Sequence, residues 1–585
     1  MRLISILLIY LMTPLALADV AHFGSGAHPT LQIPGYPLAE VSDRSPLFPQ
    51  NQVLEIDGFT DSALFPEPLS LTLEQLLNPN LANLLVLSNT YDIRINVGWR
   101  LLIPANVAKK DLREVMFFIN GGPALNSSNS SNTSWAKAMT ALGHPVVIWD
   151  QRGTMDNAPA SVRSGQPRDG VTIPLDDFAS TIDPEVVWQI DSFDKQAADL
   201  EHVIDDVMKR SEVSGLPFFV MGHSCGAEFL SFYMADIGQN KVSRIPVGVV
   251  YSGGILPGTL RATRWMSGSV RQAAAYKVLV QNHPDFQTRL DQFYEKVNSA
   301  KGSQQLKELE MRALHGYLDW DLDYSSTSSD TILGNVDALT TALDQGGIVG
   351  MHAFMNDSSP WYHNKLYWIM STGSLDGGLT DFLTYRMMSA AMPKLGVDFA
   401  KYPSVPNMGW YEGGYDFTTI LSDGSIDKAR WAFDRQVQDL ARTGRIGFFE
   451  PKAKDVLAGW KKVGRVFIFN GINDPSSNKM TYGAMQDQLP KEDLTDFRKG
   501  HEFVFYAPEG LGHFGLMQVM TDSSGNVTGP SPQLQFALDV IRGNLSASQV
   551  AAMPGVIPHS EMRSLIREHR RLKKVALETG APEQH

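Results

Sequence analysis

The sequence predicts an α/β fold, a mostly parallel sheet flanked by helices with a mainly helical cap inserted into it. Short apolar runs bounded by Gly, Pro, Asn or Asp recur along the chain, as strands buried on both faces of a parallel sheet do. The runs come in two blocks, and between roughly Leu256 and Gly464 the strand signal fades into helix-favouring stretches. One run leads through a Gly-x-Ser-x-Gly pentapeptide into a helix-like segment.

In chain order, Arg2, the apolar stretch Leu3 to Leu17 and the small-residue site Ala16-Leu17-Ala18 read as a signal peptide cleaved after Ala18. The apolar stretch is shorter than the roughly 20 residues that span a bilayer, and Pro14 interrupts it. No integral membrane span is expected once it is removed. Tyr91-Ile103 carries the rougher alternation of an antiparallel pair opening a mixed sheet. The buried strands follow at Val115-Ile119, Pro145-Trp149, Pro217-Met221, Pro246-Tyr251, Arg465-Asn470 and Glu502-Tyr506.

Leu125-Ser134 reads as an Asn/Ser loop, and Val270-Val280 and Gln304-Leu314 as helices of the cap. The cap's many tryptophans, Trp265 and Trp410 among them, are expected mainly to pack. Ser560-Val575 is a basic amphipathic helix with a solvated charged face. The expected organisation is a signal peptide over 1-18, a first sheet block over 19-255, a cap over 256-463 and a second sheet block over 464-585.

A chain of 585 residues exceeds the roughly 250 to 300 residues at which one core stops growing, so more than one structural unit is expected. Hydrophobic residues at 43% and charged residues at 19% supply a packed globular core. A net charge of -13 argues against nucleic acid as a partner, because that binding draws on clustered Lys and Arg. Cys225 is the sole cysteine, so the exported chain has no internal disulfide and its core must stabilise it. That combination points to a bacterial periplasmic or secreted protein rather than an animal extracellular one.

Gly222-His223-Ser224-Cys225-Gly226 follows the run Pro217-Met221 and precedes helix-like Ala227-Met234. This strand-turn-helix context is that of a nucleophile elbow, in which flanking glycines let the chain turn sharply and expose the serine. A serine hydroxyl needs a histidine to take its proton and a carboxylate to fix that histidine's tautomer. In chain order these should be Ser, Asp, His. Asp474 lies just past the strand Arg465-Asn470 and His513 in the glycine-rich loop past the last strand, so Ser224, Asp474 and His513 are the expected triad. His223 is set aside because it lies inside the elbow and is read as pointing elsewhere. The oxyanion hole requires two backbone N–H groups. Cys225 offers one, and Asn120-Gly121-Gly122-Pro123 offers Gly121 or Gly122 for the other, with Gly122 the expected donor. No metal or organic cofactor is expected.

Here the chain resembles the proline iminopeptidase and tripeptidyl aminopeptidase family of the α/β-hydrolase superfamily. The resemblance rests on Gly121-Gly122-Pro123 followed by Asp150-Gln151-Arg152-Gly153, a pairing more specific than the elbow alone. It covers roughly Tyr91-Pro257 and Arg465-His513. It implies aminopeptidase activity on short peptides, a helical cap over the site and acidic cap residues that hold the free amino terminus. Glu412, in Trp410-Tyr411-Glu412-Gly413-Gly414, is the best candidate for such a residue, its alternative reading being a solvated loop glutamate. The chain departs from the family pattern at Ala124, at Thr154-Met155-Asp156 and at Gly226-Ala227, all in loops that face substrate. The same machinery serves a carboxylesterase or lipase-like enzyme, and the scaffold serves non-catalytic binding proteins, which a lost triad member would signal. None is lost here.

Overall fold

The structure, a computed structural model, describes residues 30–32, 52–63, 69–90, 92–121, 130–149, 186, 189, 193–254, 256–258, 277, 280–301, 329–358, 393–396, 450–471, 479–489, 503–509 and 511–579. The chain divides into two compact units, one of residues 1–33 and 63–95 and one of residues 34–62 and 96–585. In the smaller unit, β1 (Thr30–Gln32) runs parallel to the start of β3 (Asp92–Pro104), with Thr30 opposite Asp92. Its helices are α1 (Leu73–Leu76) and α2 (Pro79–Thr90). A capping box starts α1: Gln75 N–H donates to Thr72 Oγ1 at 3.3 Å, and Thr72 N–H to Gln75 Oε1 at 2.7 Å.

The larger unit is built on six parallel strands: β4 (Val115–Ile119), β5 (Val146–Trp149), β6 (Phe218–His223), β7 (Val249–Ser252), β8 (Val466–Phe469) and β9 (Phe503–Tyr506). Their spatial order is β5-β4-β6-β7-β8-β9. Every residue in them is buried. That is why they read in the sequence as unbroken apolar runs. β3 continues the sheet antiparallel to β5, with Trp99 opposite Trp149, and β2 (Val53–Ala63) pairs with β3.

Side chains alternate between the two faces. Met116, Phe118, Ile148, Met221 and Phe467 meet Trp135 and Met139 of α3 (Ser130–Ala141) and Leu534 and Phe536 of the later helix Pro532–Arg542. On the opposite face α5 (Cys225–Gly238) packs between α4 (Phe193–Val207) and α8 (Ala453–Val463). There Trp460 Nε1 donates to Tyr251 Oη at 3.0 Å and its ring meets Phe503. Between α5 and α8 the described residues include α6 (Phe286–Ser299) and α7 (Ser329–Ser358). They pack on one another, and Phe293 and Val297 of α6 and Leu339 and Leu343 of α7 are buried. The remaining helices are α9 (Met480–Gln488), α10 (Pro532–Arg542), α11 (Ala547–Ala551) and α12 (His559–Glu578), with a hairpin of β10 (Val519–Thr521) and β11 (Val527–Pro530) before α10. None of the described helices is long and apolar enough to cross a membrane.

Four local expectations change. The expected antiparallel pair over Tyr91-Ile103 is instead the single strand β3, Asp92–Pro104, and its upstream neighbour is β2. β2 escapes notice because its apolar residues do not alternate strictly and its polar ones pair with distant residues. Asp57 accepts Arg100 at 2.6 and 3.1 Å, Thr60 Oγ1 donates to Asp206 at 3.0 Å, and Ser62 Oγ donates to Asp199 at 2.5 Å. The loop Leu125-Ser134 ends early, because α3 starts at Ser130. Its polar first turn suits a helix start, and Trp135, Ala136 and Met139 then pack at helical spacing. β6 runs on through His223, and β7 begins only at Val249. The basic C-terminal helix is α12, with Met562, Leu565 and Leu572 buried and Arg563, Arg567 and Lys574 exposed. The signal peptide and Gln304-Leu314 lie outside the described residues, as does most of Val270-Val280.

Buried His144 ties the start of β5 to the end of α10. Its Nδ1–H donates to the Glu114 carbonyl at 2.8 Å, and its Nε2 faces the Arg542 guanidinium. Burial drives its pKa from the ordinary 6.5 to about 4 against the raising effect of the Glu114 carbonyl, and the Arg542 cation pushes the same way. The native state therefore excludes a proton that the unfolded chain binds below pH 6.5. The stability this neutral ring contributes is intact above pH 6.5 and lost as the pH falls to about 4. The loss is on the order of 3 kcal/mol. Denaturant titrations at pH 7 and pH 4.5 should show a flatter pH dependence in His144→Gln than in the unaltered protein.

Candidate active site

The sheet order reverses direction at β4: the chain goes from β4 outward to β5, then returns past β4 to β6. In such sheets the loops leaving the two strands at the reversal diverge and leave a crevice at their carboxyl ends. The loops beyond Ile119 and His223 flank that crevice.

Ser224 stands between the end of β6 and the first residue of α5, with φ 54° and ψ -126°. Among the described residues only Asn240 is another non-glycine with positive φ. This conformation costs roughly 1–3 kcal/mol. It is held from both sides: the Ser224 N–H donates to the Ser252 carbonyl at 2.8 Å, and its own carbonyl accepts from Ala227 N–H at 2.9 Å. Gly226 lies so close to the end of β4 that a Cβ there would collide with the Ile119 carbonyl. A strained serine between a buried strand and a helix, in a sheet of this order, has the geometry of a nucleophile elbow. This is the α/β-hydrolase fold.

Four other strand ends converge on the elbow. A Cβ on Gly121, after β4, would lie 2.8 Å from Ser224 Cβ, so only glycine lets that loop pass the serine so closely. After β7, Gly253 has φ 64°, and a Cβ there would lie 2.8 Å from His513 Nδ1. After β8, Gly471 abuts the carbonyls of Leu511 and Gly512, so the chain that leads to Asp474 starts against the loop that carries His513. After β9, His513 is 3% exposed, and its ring centroid lies 5.0 Å from that of His223 and 5.3 Å from that of Phe514. Parallel strands bring these ends together because all of them leave the sheet at the same edge.

Among the expected site residues, Ser224, Cys225 and His513 are thus brought together. Cys225 is half-buried at the first position of α5, where its N–H lies at the positive end of the helix dipole. Asp474, Gly122 and Glu412 lie outside the described residues, as do Asp150 and Arg152. His223, set aside as the base, packs against His513 and places Nδ1 3.1 Å from Ser252 Oγ. Ser252 and Gly253 were also missed. Their signal was the Ser-Gly-Gly sequence directly after a buried strand.

A second grouping of Ser, Asp and His occurs where Ser62 Oγ donates to Asp199 and lies 3.2 Å from His202 Nδ1. There the hydroxyl is spent on the carboxylate itself and Ser62 is 1% exposed, so the grouping ties β2 to α4.

No protein-family model matches the sequence, and no curated protein does. Solved structures similar to the chain include a peroxisomal alpha-beta-hydrolase from Saccharomyces cerevisiae, at 10% identity over 90% of this chain and 99% of that one, with a TM-score of 0.33. A highly thermostable carboxyl esterase from Bacillus coagulans is similar at 12% identity over 78% and 94%, with a TM-score of 0.28. A prohormone-processing carboxypeptidase from Saccharomyces cerevisiae is similar at 14% identity over 76% and 78%, with a TM-score of 0.30. The fold assignment stands on the strand order and the elbow of this chain.

The strain at Ser224 has a measurable consequence. Glycine adopts positive φ without the side-chain penalty, so Ser224→Gly should be more stable than Ser224→Ala by about 1 kcal/mol. Thermal or denaturant unfolding of the two variants, both lacking the hydroxyl, measures the difference. Equal stabilities would mean that the elbow relaxes in solution.

Proposed function

We propose that the protein is an exported serine hydrolase, periplasmic or secreted, that releases residues from the free amino terminus of short peptides through an acyl-enzyme on Ser224. The observation that carries the reading is the elbow itself, Ser224 held at φ 54° with the buried His513 ring brought against its neighbour His223. In this reading His513 Nε2 takes the Ser224 proton as Oγ bonds to the scissile carbonyl carbon. The carbonyl oxygen becomes an oxyanion facing the N–H groups of Cys225 and Gly122. Collapse breaks the C–N bond, and His513 returns the proton to the departing amine. Water then repeats the sequence on the ester and frees Ser224. Asp474 holds His513 in the tautomer that leaves Nε2 free to accept.

Peptide as substrate is supported by the resemblance carried by Gly121-Gly122-Pro123 and Asp150-Gln151-Arg152-Gly153. Within it Glu412 is the candidate partner for the substrate's ammonium group. Export is supported by the charged, apolar and small-residue order of the first 18 residues.

The deciding measurement is the initial rate on three matched substrates, a free-amine aminoacyl amide, its N-acetylated form and a short acyl ester, over a panel of amino acids and each corrected with Ser224→Ala protein. Cleavage of the free-amine amides and not of their N-acetylated forms is expected. Turnover confined to the ester would make the protein an esterase with the same machinery. Independently, Asp474→Asn should lower turnover by about 10⁴-fold by leaving His513 in the wrong tautomer. Near-normal turnover would remove Asp474 from the triad.

A further inference from the structure

The elbow requires glycine on both flanks and serine at its apex, but it leaves the residue before the serine open. Here that residue is His223, the last of β6 and 2% exposed. Its ring centroid lies 5.0 Å from that of His513, with the planes inclined by 49°, and 5.0 Å from that of Phe514, inclined by 40°. Such separations are those of rings in packing contact. The ring is anchored at its other edge. His223 is paired in register with Ser252 of β7, and its Nδ1 lies 3.1 Å from the Ser252 hydroxyl, which is fully buried.

Gly121 closes a further side, where a Cβ would come within 3.2 Å of His223 Cδ2. Gly253, one residue past Ser252, brings its backbone against His513 Nδ1. His513 is thus walled by the His223 ring, by Phe514 and by the Gly253 backbone, and two of those walls are fixed by the same strand end, Ser252-Gly253.

A general base must keep one nitrogen aimed at its proton donor, and a 1 Å misplacement can lower a rate by about 100-fold. An imidazole on a glycine-rich loop gains that precision from what packs on it as well as from its carboxylate partner. We propose that His223 is a positioning residue: its ring, held by the Ser252 hydroxyl, keeps the His513 imidazole oriented toward Ser224. Histidine suits the place because it presents a planar face to His513 and a polar edge to a buried hydroxyl that must have a partner. Phenylalanine supplies the face alone. The proposal rests on Ser224 and His513 acting as nucleophile and base.

The test reads Ser224 reactivity without reference to any natural substrate, as the second-order rate of labelling by a fluorophosphonate, with the labelled residue located by peptide mass. It also follows kcat and KM on whichever substrate class turns over. His223→Ala and the bulkier, non-planar His223→Leu should label about 10- to 100-fold more slowly, with kcat falling in step and KM unchanged within about twofold. The double variant His223→Phe with Ser252→Ala restores a planar face and removes the unpaired hydroxyl, and should recover most of the lost rate.

Folding is monitored by melting temperature, and the double variant carries the test if the single ones unfold. Wild-type labelling rates in folded His223→Ala or His223→Leu would overturn the positioning role and leave the nucleophile standing. So would a folded double variant no faster than His223→Leu. A wild-type protein that is not labelled at Ser224 would instead bring down the nucleophile reading, and the positioning role with it.

Discussion

The hydrogen bond from the Ser224 N–H to the Ser252 carbonyl is the contact on which the geometry of the site depends. It carries the parallel β6–β7 pairing one residue past the end of β6, so the chain cannot begin to turn until Ser224 itself. The whole reversal then falls on one residue, which takes up φ 54° and ψ -126° before α5 begins. Strain of this kind persists only where the surroundings over-determine it. The six parallel strands do so here, since each is buried along its full length.

The same sheet explains why glycine marks the end of strand after strand. Parallel strands deliver their carboxyl ends to one edge, where several loops must share a small space. Gly121, Gly253 and Gly471 each pass within collision distance of a neighbour. With no side chain there, the loops come near enough for side chains of distant strands to meet. His513 lies against His223 although 290 positions, 513 − 223, separate them in the chain. The site is thus a consequence of backbone packing at the sheet edge, and its functional side chains fill what the glycines leave open.

How much of this could be read in advance follows from where the information resides. β4 was legible to the residue because a strand buried on both faces leaves a continuous apolar run. Ser224 was legible because strain, glycines and helix start are all local. β2 was not, since it is held by Arg100, Asp199 and Asp206, partners far along the chain, and so shows no apolar alternation. The contact of His223 with His513 was illegible for a related reason. Strand periodicity gives the face a side chain occupies but not which distant loop covers that face. That depends on the order β6-β7-β8-β9 and on the close approach at Gly253.

The C-terminal segment belongs to this argument more than its charged surface implies. β9, which delivers the His513 loop, is the last strand of the sheet, and an open edge presents a row of unpaired N–H and C=O groups. Here residues 555–557 cover that edge: Ala507 N–H donates to the Gly555 carbonyl and Ile557 N–H to the Phe505 carbonyl, both at 2.8 Å. The chain then enters α12, which packs on α9 so closely at Gly483 that a Cβ there would come within 2.5 Å of the Leu565 carbonyl. α9 begins a few residues after Asp474, and Lys479 Nζ meets Glu561 at 2.8 Å across the junction. A half-buried surface pair of this kind adds little stability, but it joins the same two elements that the glycine contact brings together. One segment therefore secures both β9, the strand before His513, and α9, the helix that follows β8.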